Sequence, residues 1–72
     1  MVNTQLLDDK IESSGLKRGF IVDKLGLSRF GFDKKLKGQT PFRVAEIYVL
    51  CDLLNISESD KQAIFFADEV AS

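Results

Sequence analysis

The 72-residue sequence predicts an all-α fold, a compact bundle of five short helices around one core. Apolar residues recur at spacings of three and four, which is typical of helices with one buried face. The glycines fall between these periodic segments, where helices commonly end. No stretch has the sustained alternation of apolar and polar residues that indicates a half-buried strand. A chain of this length makes one small domain, which we assign to residues 1–72.

The first helix is predicted over about residues 4–14, with Leu7 and Ile11 on one face. Asn3 or Thr4 can accept hydrogen bonds from the first backbone N–H groups of this helix. The glycine after it supplies the left-handed residue with which helices often end.

The second helix is predicted over 17–25 and ends at Gly26, where we expect a positive φ. Ser28 is a favourable N-cap for a third helix that reaches Lys37. Two short helices joined by a glycine-centred turn form a helix-turn-helix, here over about residues 17–38. The residues of these two helices that we expect to face the core are Phe20, Ile21, Val22, Leu25, Phe32 and Leu36.

The fourth helix is predicted to be the longest, over 43–54. A fifth helix follows Ser57, which together with Asp60 resembles a capping box, and it ends near Ala67. We expect residues 68–72 to be frayed. The expected core stripe of the fourth helix consists of Val44, Ile47, Leu50, Cys51 and Leu54.

The composition excludes several classes of function. There is no His, no Trp and a single Cys, which excludes disulfide frameworks, Cys/His zinc sites and His-based catalysis. No nucleophile–base pair or glycine-rich phosphate loop is present, so we expect no enzyme activity, no cofactor and no small-molecule substrate. No segment has the roughly 18 to 20 apolar residues of a membrane span, and the first residues do not resemble a signal peptide. We therefore expect a cytoplasmic protein that does not bind membranes.

The charge is unevenly distributed along the chain. The net charge of −1 and the pI of about 5.2 argue against a nucleic-acid partner if they are considered alone. Residues 15–43, however, hold eight basic and two acidic side chains, a net charge of +6, and the remainder of the chain carries −7. The basic segment contains the predicted helix-turn-helix, and the acidic remainder offers a surface to a basic partner.

The third helix has the features of a helix that reads DNA. If Phe32 and Leu36 point inward, then Phe30, Lys34 and Lys37 lie on the opposite face at 100° per residue. Basic side chains there can donate to guanine, and an aromatic ring can contact a thymine methyl group. The candidate base-reading residues are Ser28, Arg29, Phe30, Asp33 and Lys34. The candidate phosphate contacts are Arg18, Lys37, Gln39, Thr40 and Arg43.

The segment Ile-Val-Asp-Lys-Leu-Gly-Leu-Ser-Arg at 21–29, followed by the third-helix stripe, Gly38 and a Phe-x-x-x-Glu-Ile run at 42–47, resembles the Cro/C1-type helix-turn-helix family. The resemblance covers about residues 4–67 and extends to the short regulators that temperate phages of Gram-positive bacteria encode. It implies a lambda-repressor-like fold and a regulator of the lysis–lysogeny switch that binds double-stranded operator DNA in the bacterial host cell. In that family the position of Arg43 is often Ser or Thr, so either the cap of the fourth helix is weak or Thr40 caps it, with Pro41 as its first residue.

The same resemblance implies a second function, an antirepressor (modulator of repression) that binds the phage repressor protein and blocks its binding to DNA. Such a protein needs exposed apolar anchors, and neighbouring helices can equally cover the candidate side chains. A homodimer is a further alternative, because Cro-like proteins commonly pair to match a palindrome. The candidate protein-interface residues are Phe30, Tyr48, Val49, Leu53, Phe65 and Phe66.

Overall fold

The computed structural model describes residues 2–66, and this part of the chain contains five α-helices and no strand. The predicted all-α bundle is confirmed. The predicted end of the fifth helix near Ala67 and the frayed residues 68–72 lie outside the described residues. The helices are α1 (Thr4–Ser14), α2 (Arg18–Leu25), α3 (Arg29–Leu36), α4 (Val44–Leu53) and α5 (Glu58–Phe65).

Local side-chain hydrogen bonds begin three of the helices. Asn3 Oδ1 accepts from the Leu6 N–H at 3.1 Å at the start of α1, so Asn3 and not Thr4 is the cap. Ser57 Oγ accepts from the Asp60 N–H at 3.1 Å at the start of α5. Ser28 makes the same kind of hydrogen bond at the start of α3.

α4 begins without such a cap. Arg43 occupies its N-cap position, so the alternative in which Thr40 caps α4 is wrong. The Arg43 side chain has no acceptor for the first N–H groups of the helix. Glu46 supplies one half of a capping box instead, because its carboxylate accepts from the Arg43 N–H at 2.8 Å. The start of α4 is therefore stabilised from inside the helix.

The core lies where α2 packs against α3 and α4, while α1 packs against α3 and α5. Phe42, from the loop before α4, packs edge-on between two other rings, with centroids 6.4 Å from Phe32 and 5.6 Å from Phe65. The core residues that the described chain buries are Leu7, Ile11, Ile21, Val22, Phe32, Leu36, Phe42, Ile47, Leu50, Leu54, Ile56, Ile64 and Phe65.

Four predicted core positions differ in the structure. Phe20 is 44% exposed and Val44 is 66% exposed. The Phe20 ring lies on the surface with the Lys24 ammonium 5.4 Å from its centroid, and Val44 is the first residue of α4, ahead of the turn that packs inward. Cys51 and Leu25 are half-buried at the edge of the core. Burial raises the pKa of the Cys51 thiol, as does the nearby Glu58, while Lys61 partly opposes the shift.

Candidate nucleic-acid interface

A three-residue turn positions α3 relative to α2. Gly26 has φ 71°, as predicted, and its N–H donates to the Asp23 carbonyl at 3.2 Å. The Leu27 N–H donates to the Val22 carbonyl at 3.0 Å, which completes the end of α2. The side chain of Leu27 packs against the core, so the turn is attached to the bundle.

Ser28 caps α3 and lies close to the glycine inside that helix. Ser28 Oγ accepts from the Gly31 N–H at 3.0 Å, and a Cβ atom placed on Gly31 would lie only 3.2 Å from the same oxygen. The Ser28 hydroxyl remains able to donate its proton to a ligand.

The outer face of α3 carries the predicted base-reading residues. Phe32 and Leu36 are buried, whereas Phe30 on the other side of the helix is 71% exposed. The Lys34 ammonium lies 5.1 Å from the Phe30 ring centroid, a cation–π distance. Arg29 is exposed at the start of the helix. The inward and outward faces of α3 therefore agree with the helical-wheel prediction.

The candidate phosphate contacts are not equally available. Arg18 Nη2 donates to Asp8 Oδ1 at 2.7 Å, which links α2 to α1. The Lys37 ammonium lies 2.9 Å from Asp33 Oδ2, one turn earlier in α3. Two basic side chains that we expected to contact phosphate, and one expected base reader, therefore have partners within the protein.

The structure brings some of these residues together and separates others. Arg18, Arg29, Phe30 and Asp33 line one cavity of about 330 Å³ between α2 and α3. Gln39 and Thr40 instead line a groove of about 400 Å³, formed with the loop before α4 and the end of α5. Arg43 is exposed at the start of α4, next to that groove. The candidate interface thus has a central part on α2 and α3 and a separate flank after α3.

Sequence reasoning missed the position of Lys35. We counted it within the basic segment, yet its side chain is only 12% exposed and pairs with the buried Glu46. The i+3 spacing from Phe32 was the one available signal, because it places Lys35 near the inner face of α3. In the described residues, three of the eight basic side chains of the segment, Arg18, Lys35 and Lys37, pair with carboxylates.

The candidate protein-interface residues differ in their exposure. Phe65 is 6% exposed and packs against Phe42, so it is a core residue and the prediction that it anchors a partner is wrong. Phe66 is half-buried beside it. Tyr48 is 62% exposed, with the Lys61 ammonium 5.4 Å from its ring centroid. Val49 and Leu53 on the same helix are both half-buried.

None of the helices in residues 2–66 is long and apolar enough to cross a bilayer. Comparison of the chain with protein-family models, with curated proteins and with solved structures gave no match.

Proposed function

We propose that this protein is a transcriptional regulator of a phage lysis–lysogeny switch that inserts α3 into the major groove of operator DNA, in the manner of Cro/C1 proteins. The observation that carries the proposal is the two-sided character of α3. Phe32 and Leu36 hold one face in the core, while Arg29, Phe30 and Lys34 project from the other. The tight turn at Gly26 places α2 beside it, as in a helix-turn-helix.

The chemistry of the outer face suits base edges. An α-helix with its side chains is about 10–12 Å in diameter, comparable with the width of the major groove. Arg29 and Lys34 can donate to O6 and N7 of guanine, and Phe30 can contact a thymine methyl group. Asp33 can accept from N4 of cytosine when Lys37 turns from it to a phosphate. These contacts would define the sequence preference.

The phosphate contacts would determine how binding depends on salt. Arg18 has five N–H donors, and its bond to Asp8 leaves others able to contact a phosphate. The neighbouring carboxylate still reduces the gain, so we expect modest affinity that falls steeply as salt increases. Gln39, Thr40 and Arg43 would extend the contact beyond α3.

Selection of binding sites from a pool of randomised DNA duplexes tests this function. We expect the wild-type protein to enrich one sequence at low salt, Lys34→Ala to relax the preference, and Arg18→Ala to weaken binding equally for all sequences. Lys10→Ala is the matched control, because it removes the same charge from α1 at a pair with Asp60 on α5. If the wild-type protein enriches no sequence, or if Lys34→Ala and Arg18→Ala behave like Lys10→Ala, the proposal is wrong.

A second function, an antirepressor that binds the phage repressor and blocks its binding to DNA, is favoured by the carboxylates beside α3. Asp8, Asp9 and Asp33 line a cleft of about 520 Å³ between α1 and α3, next to Arg18 and Lys37. Carboxylates at this place repel phosphates and attract basic side chains, and the exposed Phe30 ring provides an apolar anchor.

Mixing the protein with the purified repressor and its operator distinguishes the two functions. Loss of the repressor–operator complex without any DNA shift by this protein alone would support the antirepressor. Persistence of the repressor–operator complex when this protein is in excess would exclude the antirepressor function.

A further inference from the structure

Lys35 is directed differently from its neighbours on α3. Its side chain is 12% exposed and forms an ion pair with Glu46, whose side chain is 9% exposed. In each of the other ion pairs of the described residues, at least one side chain is more than a third exposed. Lys35, which follows Lys34 directly in the sequence, thus lies at the edge of the core and not on the outer face of α3.

The Glu46 carboxylate joins three parts of the chain at one point. Glu46 Oε1 accepts from the Lys35 ammonium of α3 and from the Arg43 N–H at the start of α4. The Lys35 ammonium also lies 5.9 Å from the ring centroid of Phe42, in the loop between the two helices. The last turn of α3, the loop and the first turn of α4 therefore share one set of contacts.

The ion pair constrains the geometry of this joint, a role that apolar side chains of similar size would not fill. Buried ion pairs replaced by apolar side chains of similar size often leave stability unchanged, because desolvation offsets the attraction between the charges. Hydrogen bonds to a charged group depend on direction as well as distance, however, so those to Glu46 act on the orientation of α3 in addition to the close packing of Phe32 and Leu36. The pair therefore adds a constraint on the orientation of α3 to the one that the core supplies.

We propose that Lys35 and Glu46 are positioning residues that set the rotation of α3 about its axis, and thereby determine which side chains of α3 face the partner. The inference rests on the proposed function, in which the outer face of α3 is the recognition surface. Lys34 and Lys35 are separated by about 100° around the helix. Holding Lys35 inward keeps Lys34 and Phe30 outward together.

The test is a charge-free pair, Lys35→Met with Glu46→Gln, in the full chain. Met keeps the length of the lysine side chain, and Gln keeps an acceptor for the Arg43 N–H. The matched control is Lys10→Met with Asp60→Asn, which removes the ion pair between α1 and α5. Residual dipolar couplings report the orientation of α3 relative to α4, and amide hydrogen exchange reports the local opening of α3.

In the Lys35/Glu46 variant we expect the couplings of α3 to depart from those of the wild type while α1 and α5 keep theirs. We expect the α3 amides to exchange about tenfold faster, as befits the loss of a charged hydrogen bond. The control should leave both measurements on α3 unchanged. Unchanged α3 couplings and exchange in the folded Lys35/Glu46 variant would overturn the proposal.

A single variant and a DNA-selection experiment complete the test. Glu46→Gln alone should shift the α3 couplings in the same direction by a smaller amount, and it serves if the double variant does not fold. In duplex-pool selection the double variant should enrich a different or broader set of sequences than the wild type, and the control should enrich the same set. If the wild type enriches nothing, DNA reading fails, while the couplings and exchange still decide whether the pair positions α3.

Discussion

The guanidinium of Arg18 donates to the carboxylate of Asp8 at 2.7 Å, so the first residue of α2 is joined to α1 beside the candidate interface. This pair is half exposed and contributes little to stability, about 0–1 kcal/mol. Its importance is electrostatic, because it places a negative charge next to a side chain that we expect to contact phosphate.

Removing the Asp8 charge should strengthen DNA binding. Asp8→Asn frees Arg18 and removes a repulsive carboxylate, so we expect affinity for duplex DNA to rise several-fold at low salt and to depend more steeply on salt concentration. Fluorescence anisotropy with a labelled duplex over a series of salt concentrations measures both effects. Asp52→Asn on α4 makes the same change of net charge away from α3, and an equal rise in affinity there would assign the effect to net charge alone.

Phe30 and Phe65 should respond in opposite ways to truncation. Phe30 is 71% exposed, so Phe30→Ala should leave the free energy of unfolding nearly unchanged and weaken partner binding. Phe65 is 6% exposed, so Phe65→Ala should lower the free energy of unfolding by about 3–5 kcal/mol. Urea denaturation and partner titration measure the two quantities. A Phe30→Ala protein that binds both DNA and the repressor normally would exclude the outer face of α3 as the contact surface.

The Glu46 carboxylate should make stability depend on pH. Burial by itself would raise its pKa, but the hydrogen bonds from Lys35 and from the Arg43 N–H, with the positive charges of both residues, hold the pKa below its ordinary value of 4.5. A carboxylate with a lowered pKa stabilises the fold above its ordinary pKa, and this contribution disappears as the pH falls through the lowered value.

Glu46→Gln therefore should destabilise the protein by about 2 kcal/mol at pH 7, as expected for a hydrogen bond to a charged group. The difference from the wild type should narrow below pH 4.5 as Glu46 becomes protonated in the wild type. Urea denaturation of both proteins from pH 7 to pH 3 gives this difference directly. A difference that stays constant across the range would show that the Glu46 charge does not contribute.

Alanine substitutions at two glycines, one inside α2 and one in the turn that ends it, should change the stability of the fold in opposite directions. Gly26 has φ 71°, so Gly26→Ala places a side chain in the left-handed region and should cost about 1–2 kcal/mol, although the space around it is open. Gly19 lies inside the helix with open space for a methyl group, so Gly19→Ala should stabilise by about 0.5–1 kcal/mol. Thermal denaturation of the two variants measures both signs. Equal effects would mean that the turn at Gly26 does not require the left-handed conformation.

The parts of this protein that could be predicted from its sequence depend on interactions between residues close together in the chain. Ser28 and Ser57 each accept a hydrogen bond from the backbone N–H three residues later. Gly26 adopts a positive φ, and the i, i+4 pair of Phe32 and Leu36 defines the buried face of α3. These features follow from the geometry of one helix turn. They were sufficient to predict an all-α bundle and the outward direction of Phe30.

The remaining features depend on which helices meet, and the linear pattern carries little information about that. Arg18 finds its carboxylate ten residues away and Lys35 finds Glu46 eleven residues away, on other helices in both cases. Phe65 is covered because the loop residue Phe42 packs against it, whereas Phe20 lies on the surface. Periodicity shows which residues share a face, but burial and charge pairing depend on the helix that packs against that face. The chain thus specifies α3 as a two-sided helix, whereas the packing of α1 and α4 determines that Arg18 of α2 and Lys35 of α3 pair with carboxylates and are less available to a partner.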